Sequence, residues 1–180
     1  MSADLRSSPG ERSRLEAFER LLRAQAFPTR LMPGGAEVPY DVLLVGLSDV
    51  DGRGEWQLEL SFVPGMEAEL EGVSLLQCFV HLPAEVPPGA ENELRRLVVR
   101  LNGRLPLVGF GWLDAERMAC FRHTALLPGD DAAADEVVLQ TAWMIGYLLS
   151  VFGAGVQAVA EGRVGFEEAI RDSAFRDVFE

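Results

Sequence analysis

The sequence predicts an α+β protein, a mainly antiparallel sheet covered by helices in the order α-βββ-α-ββ-α. Three observations predict it. A strand, a Pro/Gly-rich loop and an acidic helix start occur twice: Cys78-Phe79-Val80-His81 is echoed by Cys120-Phe121-Arg122-His123, and Glu91-Asn92-Glu93 by Asp135-Glu136. Tight connections join consecutive strands, which requires antiparallel pairing. The helical segments carry apolar stripes that must be buried against another layer.

Residues 1–10 are polar and read as a disordered tail before a single domain at residues 11–180. Leu15, Phe18, Leu22 and Ala26 recur at helical spacing, and Pro28 ends that helix. Residues 41–47 are an apolar run, expected to be a strand buried on both faces. Asp49-x-Asp51-Gly52 is turn chemistry; the calcium reading fails because Arg53 stands where a ligand is needed. The next strand alternates, with Trp56, Leu58, Leu60 and Phe62 on one face and Gln57, Glu59 and Ser61 on the other. Leu76, Cys78, Val80 and Leu82 give a third strand its buried side.

Leu94, Leu97, Val98 and Leu101 form a full helical stripe, closed by Gly103. Residues 107–113 read as a strand with Val108, Phe110 and Trp112 on one face. Gly109 and Gly111 leave the other face open to close approach by a backbone or helix. Residues 118–123 are the last strand. A long helix follows over residues 134–160, and a short terminal helix uses Phe166, Ile170 and Phe175.

Composition narrows function. Hydrophobic residues make up 48% of the 180, enough for a substantial core. Formal charge is -12, and all 16 basic residues are arginine. So acidic a surface repels phosphate backbones, so no nucleic-acid partner is expected. Two cysteines make no disulfide framework, which fits a reduced cytoplasmic setting. Residues 137–160 carry no charge and are long enough to cross a bilayer. Gln140, Thr141, Ser150 and Gln157 interrupt them, and acidic residues precede them without a basic cluster. A buried helix, and no membrane partner, is the expectation.

The run 101–114, Leu-Asn-Gly-Arg-Leu-Pro-Leu-Val-Gly-Phe-Gly-Trp-Leu-Asp, with Cys120-Phe121-Arg122-His123 and the acidic-capped last helix, resembles the YbjN family. That resemblance implies a fold similar to the class I chaperones of type III secretion, which are small, acidic and dimeric. It implies no catalytic residues. The element order matches over roughly residues 11–160, but residues 64–90 are longer than the pattern and the last helix lacks charge.

No enzyme motif is present. The two Cys-x-x-His pairs invite zinc, but residues three apart in a strand point to opposite faces. Gly153-x-Gly155 lies inside a helical run, so it is no phosphate loop. No metal and no cofactor are expected. Arg95, Arg96 and Arg100 read as a solvated helix face. The stripe Val138, Ile145, Leu149, Phe152, Val156 and Val159 reads as core, leaving Leu139, Trp143 and Tyr147 as a second side to be buried, for which a subunit interface is one way. The expected function is a non-catalytic, homodimeric protein-binding module with a protein client. Its candidate contacts are Trp112, Phe110, Phe79, Trp56, Trp143 and Tyr147. The alternative is a sensor or enzyme for a small molecule, using a pocket between the sheet and the last helix.

Overall fold

A computed structural model describes residues 8–35, 38–48, 55–65, 70 and 72–179. In chain order the elements are α1 (Pro9–Ala24), β1 (Thr29–Met32), β2 (Val42–Ser48), β3 (Glu55–Phe62), β4 (Val73–His81) and α2 (Ala90–Asn102). Then come β5 (Phe110–Leu113), β6 (Met118–Pro128), α3 (Asp131–Leu148), a π turn (Leu149–Gly153), α4 (Ala154–Ala160), α5 (Phe166–Ala169) and α6 (Ser173–Phe179). The strands form one six-stranded sheet in the order β1-β2-β3-β4-β6-β5. β1 pairs antiparallel with β2, and β5 with β6. The α+β class stands, with one strand more than the sequence revealed. The Asp49 to Gly52 turn lies outside the described residues, as do residues 1–7 of the expected tail.

The chain divides into two compact units. The first comprises Met1–Leu47, Gln57–Phe79 and Thr124–Trp143. Here α1 starts at Pro9, two residues before the expected start, because a capping box forms. Glu11 N–H donates to Ser8 Oγ at 3.2 Å and Ser8 N–H returns the bond to Glu11 Oε2 at 2.6 Å. Leu15, Phe18 and Leu22 are buried, and the Phe18 ring meets Phe62. Each such side chain stabilises the fold by about 1.5–3 kcal/mol. Arg14 ties α1 to two strands, donating to Ser74 Oγ at 3.0 Å and to the Pro128 carbonyl at 3.1 Å.

α1 ends before Pro28 is reached. Ala26 turns left-handed, and Phe27 N–H reaches back to the Leu22 carbonyl at 3.1 Å. β1 follows at once, with Thr29 opposite Val45 and Met32 opposite Val42. β2 is not buried on both faces. Leu43, Val45 and Leu47 are buried, whereas Val42 and Leu44 are half-exposed. Its apolar run reflects a second, open face that is itself apolar.

The second unit comprises Ser48–Trp56, Val80–His123 and Met144–Glu180. α2 buries Leu94, Leu97, Val98 and Leu101 as expected, with Gly103 as its C-cap in the right-handed region. The strand expected over residues 107–113 is cut to Phe110–Leu113. Asn102 determines where it starts: its Nδ2 donates to the Phe110 carbonyl at 2.7 Å, and its Oδ1 receives the Gly109 N–H at 3.4 Å. A Cβ on Gly109 would lie 2.4 Å from the Phe121 ring, so an aromatic ring, not a backbone or helix, makes the close approach there.

The expected last helix is interrupted by the π turn, with α3 before it and α4 after. The six stripe residues Val138, Ile145, Leu149, Phe152, Val156 and Val159 are all buried. A π turn inserts extra backbone into a helix and shifts the faces that follow it.

Candidate functional site

The open face of the sheet in the first unit is built by strand alternation. On β3, Trp56, Leu58, Leu60 and Phe62 are buried while Gln57 and Glu59 reach outward. On β4, Leu76 and Cys78 are buried while Leu75, Gln77 and Phe79 are half-exposed. On β6, Ala125 and Leu127 are buried and Leu126 is 64% exposed. Val42, Leu44, Leu75, Phe79 and Leu126 therefore give this outward side an apolar character that solvent alone does not require.

One end of that face is concave. Met32 of β1, Val42 and Leu44 of β2 and Gln57 and Glu59 of β3 form the floor of a groove of about 640 Å³. Pro33, Gly35, Val38 and Tyr40 of the β1–β2 connection form its wall. That connection is pinned from behind, because Gly34 N–H donates to Asp41 Oδ1 at 2.7 Å and Gly35 N–H to the Val38 carbonyl at 2.7 Å. Among the described lining residues Glu59 carries the single carboxylate. Its carboxylate has neither a hydrogen-bond nor an ion-pair partner among the described residues.

A different surface lies on α3. Trp143 is 52% and Tyr147 60% exposed, four residues apart on one helix face, with Met144 beside them. The Trp143 ring rests against Phe27, centroids 4.7 Å apart, which fixes the indole while leaving half of it in water. The helix as a whole, Asp131–Ala160, is long and apolar enough to cross a membrane by length and composition alone.

The six aromatic candidates separate by environment. Trp143 and Tyr147 are exposed and Phe79 is half-exposed on the open sheet face. Trp112 is half-buried, donating its indole N–H to Asp114, which also receives Arg95. These two donors hold the Asp114 carboxyl below the usual carboxylate range, the Trp112 bond being the larger cause. Two candidates are corrected. Phe110 is 2% exposed and packs edge-on against Phe121, and Trp56 is 8% exposed. Neither is an exposed anchor. The Trp56 ring occupies the space at Gly153, where a Cβ would come within 2.7 Å of it, so this part of the expected sheet–helix pocket is filled.

The cysteine–histidine pairs do not converge. Cys78 and Cys120 are free and buried, and burial pushes their thiols up to about 12 and about 11. His81 is exposed, and His123 Nδ1 sits 3.3 Å from the Val108 carbonyl. Among the described residues, no three His, Cys, Asp or Glu side chains gather as a metal centre would need. The helix arginines serve packing. Arg96 lies 4.1 Å from the Phe166 ring centroid and Arg100 4.8 Å from that of Phe179. Among the described residues, the open sheet face offers apolar surface with the Glu59 carboxylate in its groove. The groove was missed in the sequence because its wall is the β1–β2 connection and β1 itself was not read.

The class the structure defines is an α+β layer fold, a six-stranded sheet with helices packed on it and apolar patches on its surface. The family model for YbjN, described as "putative bacterial sensory transduction regulator", matches residues 49–150. The chain belongs to the YbjN family. Neither the curated proteins nor the solved structures contain a match to it.

Proposed function

We propose that this chain is a non-catalytic regulatory module that acts through protein–protein contact and works as a homodimer. The observation that carries the reading is the outward face of α3 beyond Glu136, uncharged from Val137 onward, where Trp143, Met144 and Tyr147 stand exposed. Two copies of a chain with net charge -12 repel unless they meet where no carboxylate is buried. Residues 137–160 offer such a place, and a two-fold contact uses the same patch twice. Large rings held by a neighbour, as Trp143 is by Phe27, make rigid anchors. A cytoplasmic location and chaperone-like handling of a protein client complete the reading, supported by the acidic charge and the apolar open face.

The test is light scattering on wild type and Trp143→Glu at about 50 μM, a concentration at which a micromolar contact is mostly formed. Wild type should give twice the chain mass and the variant the chain mass, with melting little changed because half the indole is already in water. A monomeric wild type would overturn the dimer.

A further inference from the structure

We infer that the groove across β1, β2 and β3 binds a cationic side chain, arginine or lysine, presented by an extended partner segment with apolar neighbours. The inference rests on the reading that the chain acts by binding protein, and it names what the partner must carry.

The Glu59 carboxylate decides the sign. It stands among Met32, Val42, Leu44, Val38 and Tyr40, half-buried and without a partner among the described residues. A carboxylate partly stripped of water beside apolar walls gains from a cation and loses further from an anion. The chain's net charge of -12 raises the concentration of cationic segments near it, against the exposed Arg30 of β1, which stands opposite Leu44 on the same face. The Gln57 amide beside it supplies both a donor and an acceptor for a partner's main chain.

The walls decide the rest. Leu44, Val42 and Met32 lie on adjacent strands, so the groove runs about 10 Å across the sheet. That length accommodates several residues of extended chain, with apolar side chains over Val42 and Leu44 and a basic one at Glu59. The aliphatic stem of arginine or lysine covers apolar surface while its head stays at the carboxylate. Phe79 and Leu126 extend the same face in the first unit, offering a continuing segment further apolar contact.

The experiment uses the full chain and three probes: a capped Leu-Arg-Leu-Arg-Leu peptide, its Leu-Glu-Leu-Glu-Leu counterpart, and n-butylguanidinium alone. Binding is followed by amide NMR and calorimetry. Saturable binding of the arginine peptide is expected, with perturbed amides at Leu44, Gln57 and Glu59 and none from the glutamate peptide. Glu59→Gln should weaken it about fivefold, the loss appropriate to one partly exposed ion pair. Should Glu59→Gln fail to fold, Gln57→Arg at the exposed neighbouring position must weaken the peptide as well. Absence of saturable binding, equal binding by the glutamate peptide, or unchanged affinity in the folded variant overturns the inference. So does n-butylguanidinium binding as tightly as the peptide, which would mark a small-molecule site. Light scattering on the same samples separates this inference from the dimer: a dimer that ignores the peptide defeats the groove alone.

Discussion

Ala26 adopts φ 65°, a conformation that costs a residue with a Cβ roughly 1 kcal/mol. Glycine at this helix end should therefore stabilise, and Ala26→Gly is expected to raise the melting temperature by about 2–4 °C. Gly109 is the opposite case. Its missing Cβ makes room for the Phe121 ring, 2.4 Å from where that atom would lie. Gly109→Ala should cost about 2 kcal/mol, or roughly 4–8 °C of melting temperature, by calorimetry. Cys78 and Cys120 have thiols raised to about 12 and about 11. At pH 8 only about one Cys120 in a thousand is thiolate, so neither should take up iodoacetamide before the protein unfolds. Rapid mass gain in native protein would contradict that burial. Asp114 offers a pH test. A carboxyl held low by its folded partners stabilises above its unfolded value, and that contribution is lost as pH falls through the lower folded one. Trp112→Ala removes the larger of the two donors, so carboxyl NMR titration should show Asp114 rising toward an ordinary carboxylate.

The helix after β6 shows what a sequence pattern captures and what it omits. Its stripe from Val138 to Val159 was legible because seven-residue spacing survives local irregularity. The π turn at Leu149–Gly153 was not, since an apolar stripe reports which residues are buried and not the hydrogen-bond spacing of the backbone between them. Deleting Val151 should convert the turn to regular helix and leave melting within about 5 °C. Inserting one alanine there should rotate α4 by about 100°, moving Val156 and Val159 out of the core, and abolish cooperative melting. Equal damage from both changes would contradict the account. β3 and α2 were legible for the same reason as the stripe: Trp56 to Phe62 alternate strictly, and Leu94 to Leu101 follow one helix face. β1 was illegible because four residues between a helix end and Pro33 have no period of their own. Only pairing with β2 makes them a strand. Phe110 looked exposed because alternation assigns a face without saying what covers it. Phe121, eleven residues later, is part of that cover.

For the molecule as a whole, acidity and apolar surface pull in opposite directions. Like-charged copies repel, and salt screens that repulsion within about 10 Å at 0.1 M. Self-association through the α3 face should therefore tighten as sodium chloride rises from about 50 to about 500 mM, a range over which the screening length falls several-fold. Sedimentation would measure it, and weakening with salt would show an ionic contact instead. The position of the uncharged helix in the chain has a further consequence during synthesis. Every strand is translated before Asp131–Ala160, the 30-residue helix that supplies Val138 and Ala142 to the first unit's core and Val156 and Val159 to the second's. At about 5–20 residues per second, that helix takes roughly 2–6 s to leave the ribosome. For those seconds the nascent sheet lacks part of its cover, and the most lipid-compatible stretch of the chain emerges beside it. Strands already made place an apolar acceptor within reach, so docking competes with capture by a membrane or a holding chaperone through proximity.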